Sequence, residues 1–143
     1  MTRRELSVEI PSESIDAYRG NGESILLVDD AKDQREIASA LLNQIGYSVT
    51  ALSSGEEALN YIKDNMVDLI VLDMIMDPGM DGLDTYRKIL EIRPDQRAII
   101  ASGFSETNRV KEAQRLGVGA YVQKPYTLIK LCMAVKRELE NKK

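Results

Sequence analysis

Short apolar runs alternate with amphipathic stretches from about residue 23 to the end of the chain. The runs are continuous and rich in Ile, Leu and Val, which is typical of strands that are buried on both faces of a parallel sheet. We therefore predict strands at residues 24–28, 47–51, 68–72, 97–101 and 120–122.

Amphipathic helices are predicted after each of these strands, because apolar residues recur there every three or four positions. In the first helix Ile37 belongs to the apolar face, and residues 33–36 match a capping box. Ser54 and Glu57 match a second capping box at the start of the next helix. Five repeats of a strand followed by a helix predict an α/β fold with helices on both faces of the sheet.

The first 22 residues are polar and only weakly patterned, and they end in the loop-forming tripeptide Gly20-Asn21-Gly22. A chain of 143 residues has the size of one compact domain. We predict that residues 1–22 are an N-terminal lead-in or linker and that residues 23–143 form a single domain.

The charge and composition of the chain disfavour several classes of partner and location. The net charge is −4 and the basic residues are scattered, so we expect no binding to nucleic acid or to an anionic membrane. No apolar run approaches the roughly 20 residues of a membrane span, and the N-terminal sequence does not match a secretion signal. Cys132 is the single cysteine, which excludes an internal disulfide and is typical of a cytoplasmic protein.

The chain contains no histidine. It therefore cannot build a Ser-His-Asp or Cys-His catalytic group, it is poor in zinc ligands, and it cannot itself donate a phosphoryl group from phosphohistidine. Any chemistry that the chain performs must use carboxylates, hydroxyls and lysine.

Polar residues follow the predicted strands at the points where the strands end. In an open parallel sheet, functional groups gather at the carboxyl ends of the strands. Three carboxylates at that edge would repel one another by about 4 kcal/mol per pair at 4 Å, and a hard divalent cation such as Mg²⁺ or Mn²⁺ would relieve the repulsion. The residues concerned are Asp29, Asp30, Asp73, Ser102, Lys124 and Pro125.

This set of residues resembles the receiver domain of two-component response regulators, over a stretch from about Gly22 to Lys143. The tripeptide Met80-Asp81-Gly82 and Gly117 add to the resemblance. The resemblance implies a flavodoxin-like, doubly wound sheet of five parallel strands in the order 2-1-3-4-5, with five helices.

The resemblance also implies a role for each residue at the strand ends. Asp73 would accept a phosphoryl group from phosphohistidine and form an acyl phosphate. Asp30 and Asp73 would bind Mg²⁺ or Mn²⁺ directly, Asp29 mainly through a water molecule, and Ile75 through its backbone carbonyl. Lys124 would neutralise the phosphoryl oxygens.

A second group of residues would carry the switch. By resemblance, Ser102 would turn its hydroxyl to the phosphoryl group, and Tyr121 would change rotamer when Ser102 moves. Pro125 would follow a cis peptide bond that directs Lys124 into the site.

The partners implied by the resemblance are a histidine kinase or a phosphotransfer protein. The fourth helix, fifth strand and fifth helix, at about residues 106–138, would form the output surface and could join two copies of the chain. We expect no output domain after the fifth helix. By resemblance, the lead-in and the long loop after Asp73 indicate the C-terminal receiver of a hybrid sensor histidine kinase, with a stand-alone regulator as the alternative.

One departure from the family pattern concerns the loop after the acceptor. Proline usually follows four residues after the acceptor aspartate, whereas Pro78 follows Asp73 by five and the loop carries the additional carboxylate of Asp77. We assign no role to Asp77.

Three other functions share part of this pattern. A receiver that binds partners without being phosphorylated is the main alternative. A flavodoxin-like cofactor site is disfavoured because Asp29 and Asp30 would repel a phosphate after the first strand. A haloacid-dehalogenase-type phosphatase would need an aspartate where the chain has Ile75.

Overall fold

A computed structural model of the chain describes residues 18–74, 80–102, 108–123 and 127–140. Within these ranges, strands and helices alternate. The strands are β1 Ser24–Val28, β2 Ser48–Leu52, β3 Leu69–Asp73, β4 Ala98–Ser102 and β5 Ala120–Gln123. The helices are α1 Lys32–Gln44, α2 Gly55–Asp64, α3 Gly82–Ile92, α4 Asn108–Leu116 and α5 Leu128–Glu140.

The strands form one parallel sheet in the order β2-β1-β3-β4-β5, which confirms the predicted topology. β2, β3 and β4 each begin and end one residue later than predicted, and β5 ends one residue later than predicted. As a result Asp73 and Ser102 are the last residues of their strands, where Asp73 pairs with Ala101 and Ser102 pairs with Gln123.

Each face of the sheet is covered by its own layer of helices. Alternate strand residues such as Leu26 and Ile70 pack against α2, α3 and α4, and the residues between them, such as Ile25 and Leu69, pack against α1 and α5. Because both faces are buried, the strands carry continuous apolar runs. None of the helices in the described ranges has both the length and the apolar character needed to cross a membrane.

The start of α1 differs from the prediction. The predicted capping box at residues 33–36 is wrong, because the N-cap is Ala31 and no side chain caps the helix. Ile37 is 53% exposed, since the buried stripe of α1 consists of Ala38, Leu41 and Leu42. The stripe has helical spacing, and Ile37 lies beside it.

The start of α2 largely follows the prediction. The Oγ of Ser54 accepts a hydrogen bond from the backbone N–H of Glu57 at 3.1 Å, as expected for an N-cap. The Glu57 carboxylate, however, accepts from the backbone N–H and the Oγ of Ser53, both at 2.8 Å, rather than from Ser54. The segment before α2 is therefore tied to the first turn of the helix.

Residues 18–22, which we call the N-terminal strap, are hydrogen-bonded to the rest of the domain. The strap crosses the turn between α1 and β2 and reaches α5. Its hydrogen bonds run from Gly20 N–H to Ile45 O at 2.8 Å, from Gly22 N–H to Gly46 O at 2.7 Å, from Tyr47 O–H to Tyr18 O at 3.0 Å, and from Lys136 Nζ to Arg19 O at 3.0 Å. Gly46 has a φ of +102°, a conformation that favours glycine, and its Cα hydrogens face the Gly20 carbonyl.

Candidate acidic site

Three carboxylates meet at the carboxyl end of the sheet. One oxygen from each of Asp29, Asp30 and Asp73 can be chosen so that all three atoms lie within 4.8 Å of one another. Asp29 and Asp73 are 4% and 7% exposed, whereas Asp30 faces solvent. The structure thus brings together the three acidic residues that the sequence placed at two separate strand ends.

Asp29 is held at three points of its main chain and side chain. Its N–H donates to the carbonyl of Leu52 at 3.1 Å, which ties the end of β1 to the end of β2. Its Oδ1 accepts from the N–H of Ala31 at 2.9 Å, and its carbonyl accepts from Nη1 of Arg35 at 2.9 Å. Hydrogen bonds to β2 and from α1 therefore both hold the turn that carries Asp29 and Asp30.

Asp73 is positioned by the sheet and by a close contact with α3. The N–H of Met74 donates to the carbonyl of Ala101 at 2.8 Å, and the N–H of Gly82 donates to the carbonyl of Met74 at 2.7 Å. A Cβ atom at position 82 would lie 2.5 Å from the carbonyl oxygen of Asp73 and 2.9 Å from the Cα of Met74. Only glycine lets α3 begin this close to the acidic site.

The remaining predicted residues are placed only in part. Ser102 ends β4 at the same edge of the sheet as Asp73, and only its backbone position is described. Tyr121 is half-buried in β5, where it pairs with Ile100 and packs against the layer of α2, α3 and α4. The other predicted positions lie outside the described residues, namely Ile75, Asp77, Lys124 and Pro125.

The three carboxylates are suited to a hard divalent cation. Two unit negative charges 4.8 Å apart repel by roughly 3.5 kcal/mol at an effective dielectric constant of 20. Oxygen ligands from one or two carboxylates, completed by water and phosphate oxygens, are what Mg²⁺ and Mn²⁺ prefer. The charge and the donor atoms of the cluster both fit such a cation.

We expect Asp30→Asn to have opposite effects on metal binding and on metal-free stability. The substitution removes one charge from the cluster, so the free energy of unfolding in the presence of a chelator should rise, by about 1 kcal/mol because Asp30 faces solvent and is screened. The affinity for Mg²⁺ should fall by at least about tenfold, since a ligand oxygen is weakened. Urea unfolding and titration calorimetry measure the two quantities.

Asp64→Asn is the matched control, because Asp64 is an exposed aspartate at the end of α2 and lies outside the cluster. It should leave both quantities unchanged. A loss of stability in Asp30→Asn under metal-free conditions would contradict the view that repulsion dominates the empty cluster.

Sequence reasoning missed two residues of the site. Arg35 looks like a solvated residue of the first helix, and its contact with the Asp29 carbonyl has no signature in the sequence. Gly82 was noted as part of a tripeptide, but its close approach to Asp73 requires the packing of α3. The sequence does show an arginine in the first turns of the helix after the paired aspartates and a glycine at a helix start, but neither pattern predicts these contacts.

A family model and two curated proteins match most of the chain. A family model described as the response regulator receiver domain matches residues 25–136. Sporulation initiation phosphotransferase F of Bacillus subtilis is 32% identical over 117 residues, which cover 82% of this chain and 94% of that protein. The autoinducer 1 sensor kinase/phosphatase LuxN of Vibrio campbellii is 35% identical over 105 residues, 73% of this chain but only 12% of that protein.

A similar fold is found among solved structures. The receiver domain protein (CheY-like) from Methanospirillum hungatei superposes with a TM-score of 0.79 at 25% identity, and the alignment covers 84% of this chain and 95% of that one. The family model spans residues 25–136, so Asp29, Asp30 and Asp73 all lie within the matched region.

Proposed function

Because the chain belongs to the family of response regulator receiver domains, we propose that it accepts a phosphoryl group on Asp73 and thereby switches a protein-interaction surface. The observation that carries this proposal is the place of Asp73 in the cluster with Asp29 and Asp30. The donor would be the phosphohistidine of a histidine kinase or of a phosphotransfer protein, since this chain has no histidine.

In this proposal the acidic residues also hold the cation. Asp30 and Asp73 would bind Mg²⁺ or Mn²⁺ directly, Asp29 would act mainly through a water molecule, and the backbone carbonyl of Ile75 would supply a further ligand. When bound, the cation supplies positive charge that offsets the negative charge of the phosphoryl oxygens. The oxygen donor set of the cluster supports a hard cation of this kind.

Asp73 then acts as the nucleophile. A carboxylate oxygen of Asp73 attacks the phosphorus atom, an O–P bond forms, and the P–N bond of phosphohistidine breaks, so that its electron pair leaves on the imidazole nitrogen. By resemblance, Lys124 would neutralise the phosphoryl oxygens. The product is an acyl phosphate, which water hydrolyses later. The chain thus promotes its own phosphorylation and dephosphorylation, and it is not an enzyme that turns over a separate substrate.

The switch would begin at the phosphoryl group and end at the surface of α4, β5 and α5, at about residues 106–138. By resemblance, Ser102 would turn its hydroxyl towards the group, Tyr121 would change rotamer in response, and a cis peptide bond before Pro125 would direct Lys124. A half-buried side chain has room to change rotamer, so the position of Tyr121 in β5 supports this role. This surface would bind the downstream partner or a second copy of the chain.

The broader setting is part of the same proposal. We propose that residues 23–143 form the receiver, that residues 1–22 form its lead-in, and that the protein acts in the cytoplasm without contacting nucleic acid or a membrane. The similarity to LuxN, a sensor kinase/phosphatase, supports a receiver within a hybrid kinase. The similarity to phosphotransferase F over 94% of its length supports a stand-alone regulator.

The proposal is tested by incubating the chain with acetyl phosphate and Mg²⁺ and measuring the intact mass. We expect a single phosphoryl adduct that disappears when a chelator replaces the metal. The adduct should be released by hydroxylamine, because hydroxylamine cleaves acyl phosphates and leaves phosphoesters intact. Borohydride reduction before peptide mapping should place it on the peptide that contains Asp73.

The same experiment addresses the alternative function. If neither acetyl phosphate nor a phosphorylated histidine kinase produces an adduct at any metal concentration, the chain is a receiver that binds partners without being phosphorylated.

A further inference from the structure

Arg35 lies beside the acidic site and contacts the peptide that joins two of its members. Its Nη1 atom donates to the carbonyl oxygen of Asp29 at 2.9 Å, and the contact is part-buried. This carbonyl belongs to the peptide bond between Asp29 and Asp30. A rotation of that peptide would turn both carboxylates relative to Asp73.

Several hydrogen bonds hold this turn, and Arg35 supplies the one to the Asp29 carbonyl. α1 begins without a side-chain N-cap, so its first turn does not hold the preceding segment through a capping residue. The Ala31 N–H donates to Asp29 Oδ1, and the Arg35 N–H donates to the Ala31 carbonyl at 3.0 Å. The guanidinium of Arg35 is therefore the described group that ties α1 back to the Asp29 carbonyl.

The positive charge of Arg35 also acts beyond the acidic turn. Hydrogen bonds from the backbone and the side chain of Ser53 lower the pKa of the Glu57 carboxyl, and the positive charge of Arg35 lowers it further.

We propose that Arg35 is a positioning residue for the cation-binding carboxylates, which holds the peptide between Asp29 and Asp30 so that both side chains face Asp73. This inference rests on the proposed function, in which these carboxylates bind Mg²⁺. It does not require Arg35 to contact the cation or the phosphoryl group.

The sign of the change in metal affinity separates positioning from simple electrostatics. If Arg35 acted only as a positive charge near the site, its removal would strengthen cation binding, because like charges repel. If Arg35 positions the turn, its removal weakens binding, since the carboxylates lose their shared orientation. Partners that orient metal ligands typically change affinity by about 10- to 100-fold when they are removed.

The experiment compares Arg35→Met, Arg35→Lys and Lys32→Met by titration with MgCl₂ in a calorimeter. We expect Arg35→Met to weaken Mg²⁺ binding by about tenfold, and Arg35→Lys to weaken it less, because one donor remains. Lys32→Met is the matched control, since Lys32 is an exposed cation of the same first turn. It should bind Mg²⁺ as well as the unchanged chain or slightly better.

A second measurement uses the metal-free protein. Hydrogen exchange at the Ala31 amide reports the turn directly, and it should become faster in Arg35→Met but not in Lys32→Met, while core amides such as that of Val71 remain protected. Unchanged or tighter Mg²⁺ binding by Arg35→Met would overturn the inference. If the unchanged chain binds no Mg²⁺, the proposed metal role fails, and unaltered exchange at Ala31 would then also rule out positioning by Arg35.

Discussion

Replacing Asp73 with asparagine should abolish phosphorylation by acetyl phosphate, lowering the extent of the adduct by at least about a hundredfold. The amide has nearly the same volume and the same site at the end of β3, where Asp73 is 7% exposed, so the fold should be retained. What is lost is the anionic oxygen that forms the bond to phosphorus. Intact mass after incubation with acetyl phosphate and Mg²⁺ measures the result.

Asp95→Asn provides the control for this substitution. Asp95 is an exposed aspartate in the turn before β4, at the opposite edge of the sheet. It should be phosphorylated to the same extent as the unchanged chain. If Asp73→Asn forms as much adduct as the unchanged chain, another carboxylate is the acceptor. Asp30, the solvent-facing member of the cluster, would then be tested first.

Gly82→Ala should lower the free energy of unfolding by about 2–3 kcal/mol. Alanine would normally favour a helix by about 1 kcal/mol over glycine, so the expected sign depends on the contact. The new Cβ would lie 2.5 Å from the Asp73 carbonyl oxygen, a backbone atom at the end of a central strand that cannot yield easily. Urea unfolding followed by circular dichroism is suitable, because the chain has no tryptophan.

Lys88→Ala separates the steric effect from helix propensity. Lys88 is an exposed residue of the same helix, and its replacement should change stability by no more than about 0.5 kcal/mol. Mg²⁺ affinity should also fall in Gly82→Ala, since the displaced carbonyl belongs to Asp73. Equal or greater stability of Gly82→Ala would show that α3 can move away from β3 without cost.

The sheet could be predicted because its strands have a strong and simple pattern. The residues of β3 are all buried, so the run is apolar on both faces and ends at the first charge, Asp73. The ends of strands are harder to predict, because the final hydrogen bonds depend on the neighbouring strand. The pairing of Asp73 with Ala101 places this aspartate inside β3 rather than after it.

Helix faces were predicted less well where small residues pack against the sheet. Ala38 is 1% exposed and belongs to the buried stripe of α1, although its short side chain contributes little to an apolar pattern. Ile37 dominates that pattern and is 53% exposed. Size and hydrophobicity alone therefore assigned the wrong residue to the core.

The acidic site was accessible to sequence reasoning because parallel strands bring their carboxyl ends to one edge. Asp29, Asp30 and Asp73 were identified on that basis, and the structure brings their oxygens together. The contacts of Arg35 and Gly82 were not accessible, because both are made to backbone atoms. Every residue has a backbone carbonyl, so a contact to that group leaves no pattern in the sequence.

The N-terminal strap determines where a fused domain would be tethered. The strap is bonded to the turn before β2, at the amino end of the sheet, whereas Asp73 lies at the carboxyl end. The five residues of β1 span roughly 16 Å between these two edges. A phosphoryl donor attached ahead of Tyr18 must therefore use at least about five extended linker residues to cover this height. With a shorter tether its effective concentration at Asp73 approaches zero, and donors on other molecules would phosphorylate the domain instead.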